Sequence, residues 1–354
     1  MADFTSALFL GYRHATAELP TWASLTTGRP SAMCEPAAAA RLAARIARRQ
    51  GSGAGVVHRS ALHALWDVID FVARPGSVVV LDRAAYPLSR WAAAGAVARG
   101  IPVTWFPHHG VRALRQSLDR ERRRVIIVID GWCPDCGQPA PLPELGQLAA
   151  RRGGLLLVDD TLAAGVLGGA PTTARPFGVD GGGTLCWLGA SPVATVQVAS
   201  FAKAYGAPLA VTTGPSSVIA GLRMHGSRWH SSPPSAADLA AADVATKDEA
   251  ANDRRRQHLA RLVLLLCQGL TSLGLPVIGR PFPMVSVAPP DAALARALYS
   301  RLVSHGIGAL PRKARCRGRL TVTFSVTAAN KREDITQVLD VLARAPIARL
   351  ERAS

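Results

Sequence analysis

The chain has 354 residues, 49% hydrophobic and only 5% aromatic, and a formal net charge of +17 carried almost entirely by arginine. This length and apolar fraction suit one large α/β unit with a smaller companion, and exclude a disulfide-stapled secreted scaffold, because the six cysteines are scattered along a long chain. No run approaches the ~20 apolar residues of a membrane span, and the arginine clusters at 120–124, 254–256 and 312–319 lack the interleaved aromatics that stack nucleic-acid bases. The clusters read as solvated faces, with an anionic substrate or an acidic protein partner as the next choice; no nucleic acid and no membrane is expected. Asp3 precedes the short apolar run at the N-terminus, which is a poor signal peptide, so a soluble cytoplasmic protein is expected.

In chain order, "PAAAARLAARIARRQ" (36–50) predicts an amphipathic helix opened by proline and ended by "GSGAG" (51–55). "SALHALWDVIDFVA" (60–73) predicts a second helix with Ser60 as its N-cap. Six short β-rich runs follow, at 77–82, 101–106, 125–130, 155–160, 195–200 and 208–213. Most are continuously apolar, as strands covered on both faces are. Helical segments at 87–99, 111–122 and 143–152 alternate with them, which predicts an α/β fold with a mostly parallel central sheet. After "HSSPPS" (230–235) the texture changes. A long helical stretch over 235–274, strands at 284–289 and 319–327, and helices at 291–304 and 331–344 predict a small α+β domain. The expected organisation is an N-terminal segment 1–30, a large domain 31–234 and a small C-terminal domain 235–354.

Lysine is rare. Of four, three sit among charges, while Lys203 lies in "ASFAKAYGAP" among small and apolar residues. At such a place lysine has a chemistry that arginine lacks: it can deprotonate and form a Schiff base. Apolar neighbours lower its pKa. Asp159 and Asp160 close the strand "LLLV", where an acid can pair with a protonated pyridine nitrogen. Ser60 opens a helix, where a hydroxyl and free N–H groups hold a phosphate. An amine, an acid and a phosphate seat at strand and helix ends meet the needs of pyridoxal phosphate.

These stretches, in this order, resemble the α-oxoamine synthase branch (8-amino-7-oxononanoate synthase and glycine C-acetyltransferase-like) of the fold-type I pyridoxal phosphate enzymes. "DFTSALFLGY" (3–12), "VVVLDRAAYPLSRWAA" (78–93), "IDGWCPDCGQPAPLPELGQLA" (129–149), "LLLVDDTLAAGVLG" (155–168), "SFAKAYGAPLAV" (200–211) and "HSSPPSAADLAA" (230–241) carry the likeness. The resemblance implies that Lys203 holds the cofactor as a Schiff base, Asp159 pairs with the pyridinium nitrogen, and Tyr86 stands where the family stacks a histidine on the ring. It implies that Ser60, Ala61 and Ser200 seat the phosphate, that Ser231 or Ser232 reaches the phosphate of a neighbouring subunit, and that a homodimer carries its active sites at the interface. Arg319 is the candidate for gripping the amino-acid carboxylate. A second register puts Thr323 there, ~13 Å away along the same strand face. The sequence departs from the family at Leu162, where the family has histidine, at Pro134 for serine and at Ala7 for asparagine.

The implied reaction condenses an amino acid with an acyl thioester, acyl-CoA or acyl carrier protein, through Lys203. Transamination or other carbanion chemistry on an unusual amine is the alternative, and a non-catalytic binding scaffold the third reading. "WCPDC" (132–136) has the Cys-x-x-Cys spacing of redox and zinc sites, but no thioredoxin-like order of elements surrounds it and no second pair accompanies it. It is expected as a loop variant near the cofactor, with no metal. His108 and His109 are expected in a solvated loop, and His58 and His63 as cap or core residues.

Overall fold

The computed structural model describes residues 2–344 apart from residues 16, 18, 19 and 21–24. The remaining parts of the expected 1–30 and 235–354 units lie outside the described residues. Seven strands form the central sheet: β1 (Ala54–His58), β2 (Ser77–Asp82), β3 (Val103–Phe106), β4 (Arg124–Asp130), β5 (Leu155–Asp159), β6 (Thr195–Ser200) and β7 (Ala210–Gly214). Their order is β1-β7-β6-β5-β4-β2-β3. Neighbours from β6 through β3 pair in parallel, while β7 runs antiparallel to both β1 and β6.

Alternate side chains of each strand feed opposite layers, as the period of two requires. Val79, Leu81, Ile126, Val128 and Leu157 pack with Leu65 and Val68 of helix Ala61–Val72 and with Ala92 and Ala96 of helix Pro87–Ala98. Val78, Val80, Ile127, Ile129, Leu156 and Val158 pack with Leu114 and Leu118 of helix Val111–Leu118 and with Leu145 and Leu148 of helix Leu142–Arg151. Burial on both faces is why these strands read as unbroken apolar runs.

A second, antiparallel sheet is built from β8 (Met284–Val287), β9 (Leu310–Lys313) and β10 (Leu320–Ser325), in the order β8-β10-β9. A short strand at Ala2–Asp3 pairs in parallel with Ile307–Gly308. Phe4 then packs edge-on against Phe324, ring centroids 5.9 Å apart.

Three elements differ from expectation. The helical stretch over 235–274 is two helices, Ala236–Lys247 and Glu249–Ser272. Asp248 leaves helical geometry between them, and its carboxylate accepts the Ala251 N–H at 2.9 Å as an N-cap. β9, "LPRK", hides in a charged stretch that reads as a solvated face. β1 begins inside "GSGAG", at Ala54, where the sequence reads only as a turn. Gly55 belongs to β1 for a packing reason: a Cβ there would sit 2.8 Å from the Ala43 carbonyl oxygen of helix Ala37–Arg49. Gly55→Val is therefore expected to cost about 1–3 kcal/mol by overpacking, measured as a lower urea midpoint at unchanged m-value.

Candidate active site

β4 and β5 both end in aspartate, and their register sets Asp130 opposite Asp159 at the carboxyl edge of the sheet. Ligands of open α/β sheets bind at this edge. A cavity of about 470 Å³ opens there, and Ser60, Ala61, Tyr86, Asp159, Ser200 and Lys203 all line it. Leu162 and Pro134, two departures from the family pattern, line it as well.

Arg319 does not. It lines a separate depression with Arg317 and Thr321, while Arg312 and Arg315 occupy the cavity wall. The β9–β10 hairpin explains the difference. Lys313 pairs with Leu320, so Arg319 falls at the turn end of the hairpin, beyond the last paired residue. Thr323, the other register, is buried and bonded through its hydroxyl to the Ser286 hydroxyl at 2.8 Å across to β8. Neither expected residue lines this cavity. Ser231 lines another depression, with Trp66 and Trp91, and Ser232 lines neither.

Burial lowers the Lys203 pKa, with Asp159 and then Asp130 pulling it back. Its Nζ lies 5.9 Å from the centre of the Tyr86 ring. Asp159 is buried, and its Oδ1 accepts the Thr161 N–H at 3.1 Å. The Thr161 hydroxyl accepts the Ser200 N–H at 3.1 Å, which ties the end of β5 to the end of β6. Asp160 does not share this role. Its carboxylate accepts the Thr184 hydroxyl at 2.6 Å and the Thr184 N–H at 2.9 Å, and burial pushes its pKa up to about 7. Tyr86 immediately precedes helix Pro87–Ala98, and its N–H donates to Asp130 Oδ1 at 3.0 Å. Ser60 caps helix Ala61–Val72, its Oγ accepting the His63 N–H at 3.4 Å. His58 is the core residue expected, buried with Nδ1 3.1 Å from Asp67.

Three residues escaped the sequence reading: Asp130, Arg312 and Arg315. Arg315 Nη2 donates to Asp130 at 3.1 Å, and its Nε donates to the Ala84 carbonyl at 3.0 Å. Its guanidinium carbon lies 5.2 Å from the Tyr86 ring centre. Arg312 Nη2 donates to Asp135 at 2.8 Å. The signals were in plain view: "VIIVID" ends as "LLLVD" does, and "RKARC" carries both arginines.

Two buried donors on the cavity wall, Trp132 Nε1 and Arg312 Nη1, have no hydrogen-bond partner among the described residues. Buried polar groups are nearly always paired, so this cavity is built for a ligand with anionic or polar atoms. The donor set fits pyridoxal phosphate: an amine, an acid for the ring nitrogen, an aromatic face, and for the phosphate a helix N-terminus with the Ser60 hydroxyl and, at the end of β6, the Ser200 hydroxyl.

This arrangement at these strand ends defines the fold-type I class of pyridoxal phosphate enzymes. The chain belongs to the aminotransferase class I and II family, whose profile matches residues 21–342. It is 30% identical over 341 residues to an 8-amino-7-oxononanoate synthase of Halorhodospira halophila, covering 86% of this chain and 81% of that protein. The serine palmitoyltransferase of Sphingomonas wittichii superposes with a TM-score of 0.84 at 18% identity, over 96% of this chain and 86% of that one. The 8-amino-7-oxononanoate synthase of Francisella tularensis superposes with a TM-score of 0.78 at 15% identity, over 97% of each. The two superpositions speak for the fold.

Asp130 gives a pH test. Burial first, then Asp159, raise its carboxyl to about 8 against the pull of Arg315. The unfolded chain, with a carboxyl near ~3.9, releases a proton that the folded chain keeps. The stability this group contributes is whole below about pH 4 and is lost as pH rises through about 8. Without cofactor, urea titrations between about pH 5 and 8 should show declining stability, with a shallower decline in Asp130→Asn.

Proposed function

We propose that this protein is a pyridoxal phosphate-dependent α-oxoamine synthase, condensing an amino acid with an acyl thioester, either acyl-CoA or an acyl carrier protein. The observation that carries this reading is the desolvated Lys203 amine beside Asp159, in a cavity that also offers two arginines to anionic groups. The relatives are synthases and acyl transferases by name, which favours acyl transfer over transamination.

Bound in this cavity, pyridoxal phosphate supplies an electron sink for negative charge developing on the amino acid's α-carbon. Lys203 is the amine that holds the cofactor and then moves the proton at that carbon; its lowered pKa suits both tasks. Asp159 holds the proton on the ring nitrogen, and Tyr86 stacks on the ring. Ser60, Ala61 and Ser200 seat the phosphate at the N-terminus of helix Ala61–Val72 and the end of β6. Arg312 grips the amino-acid carboxylate with its unpaired Nη1, in the role expected of Arg319. Leu62, Leu162 and Met284 exclude water. In this reading residues 31–234 supply the cofactor side, and Met284, Arg312 and Arg315 of the C-terminal unit complete the wall.

Lys203→Ala should lose the visible absorbance of the bound cofactor together with turnover. Asp159→Asn should keep cofactor and lose about 10²- to 10³-fold in kcat. Arg312→Ala should raise KM for the amino acid about 10- to 100-fold with a smaller effect on kcat. Mixing holoprotein with amino acids and acyl thioesters should release free thiol and carbon dioxide. Conversion to the pyridoxamine form without thiol release would establish transamination instead.

The active unit is a cytoplasmic homodimer, and the described residues include no helix long and apolar enough to cross a membrane. Trp66 and Trp91 are 42% and 59% exposed and line a depression with Ser231, and Leu62 joins that depression to the Lys203 cavity. An apolar patch beside an active site suits a partner copy that brings Ser231 or Ser232 to the neighbouring phosphate. Trp91→Asp should give monomers by light scattering and lose turnover.

A further inference from the structure

The loop after β3, the hairpin that follows β4 and the β9–β10 turn meet beside the cavity. They bring together His108, Cys133, Cys136 and Cys316, whose ligand atoms all lie within 4.8 Å of one another. His108, expected in a solvated loop, is half-buried, with Nε2 3.4 Å from Cys136 Sγ. Cys133 Sγ is 3.9 Å from Cys316 Sγ. A tetrahedron with Zn–S of about 2.3 Å and Zn–N of about 2.05 Å has S···S edges of about 3.8 Å and S···N edges of about 3.6 Å. The two distances match those edges. They span 183 and 28 residues of chain, which is why "WCPDC" alone shows no second half of a site.

We infer that His108, Cys133, Cys136 and Cys316 bind one zinc ion in a closed, structural Cys3His site that clamps the β9–β10 turn to the edge of the large sheet. The outer contacts agree. His108 Nδ1 lies 2.9 Å from Asp82 Oδ1, an arrangement in which Nδ1–H donates and Nε2 is left free as a ligand. Asp82 is itself fixed by the Ala84 N–H at 2.7 Å and the His109 N–H at 2.8 Å, so it orients the imidazole and is not spent as a ligand. Three thiolates and an imidazole select zinc over oxygen-seeking cations. The thiol protons leave to solvent as the metal binds, with no change of oxidation state.

The clamp bears on the cavity. Asp135, between the two hairpin cysteines, accepts the Arg315 N–H at 2.8 Å and Arg312 Nη2 at 2.8 Å. Cys316 is the next residue after Arg315. Fixing Cys316 thus fixes Arg315 on the turn and, through Asp135, Arg312 near the end of β9.

The test is metal analysis of the purified full chain by inductively coupled plasma mass spectrometry under reducing conditions. One zinc per chain is expected. Cys316→Ser should lose it, Asp82→Asn should weaken zinc affinity about 10- to 100-fold, and Cys267→Ser, remote from the cluster, should keep it. Loading with cobalt should give the visible bands of a tetrahedral thiolate complex. Stripping the metal with a chelator should open the 314–319 turn to trypsin. The inference is overturned by a chain that contains no zinc and takes up none from zinc chloride with reductant. It is overturned equally by zinc that persists in Cys316→Ser, by a disulfide among these cysteines in the purified protein, or by a turn that resists trypsin after stripping. None of these readouts depends on turnover or on the assigned reaction.

Discussion

The structure turns on the burial of one amine. A lysine withdrawn from water is costly as a cation, and its position is kept only if the surroundings take a share of the charge. Asp159 does so from the end of β5, with Asp130 beside it adding its share as it ionises, and each is held in turn, Asp159 by the Thr161 N–H and Asp130 by the Tyr86 N–H and Arg315. Parallel strands are what make this possible: their carboxyl ends all lie on one edge, so acids distant in sequence converge without a dedicated loop. The Thr161–Ser200 bond then keeps the strand that ends in acid in register with the strand that leads to the lysine.

Around that charge pair the wall mixes apolar and polar groups. Leu162 offers no hydrogen-bond donor, and Trp132 stacks on Phe282 at 4.5 Å, with its indole N–H unpaired among the described residues. Arg312 of β9 and Arg315 of the β9–β10 turn join Asp130, Asp159 and Lys203 in the same lining. Apolar surface with a few placed polar groups suits a small-molecule site.

Most of the fold was legible because buried parallel strands have a signature that composition cannot disguise. "TVQVAS" and "SVVVLD" coincide with β6 and β2 to the residue. β1 was not legible: two of its five residues are small, and its glycine is there for the helix packed on it. Lys203 and Asp159 could be read from local context, because strand ends and an isolated lysine are local facts. Which arginines line the cavity could not. "RLTVT" matches a family string, yet whether its arginine reaches the cavity depends on where the hairpin turns, and that is settled by pairing between β9 and β10. Asp160 shows the same limit at finer scale. One residue along the chain from Asp159, it faces Thr184, and only the pleat separates the two.

The parallel pair formed by Ala2–Asp3 and Ile307–Gly308 carries a consequence for how the chain reaches this state. The strand Ala2–Asp3 finds its partner only after about three hundred further residues have been made. The buried contact of Phe4 with Phe324 comes later still. Loop closure over such a span is slow and brings no gain until the far end arrives. The pairings of the central sheet are complete by Gly214, so that sheet can assemble while Ala2–Asp3 is still unpartnered. Ala2–Asp3 is therefore made long before its partner strand, and its seating waits for the small sheet.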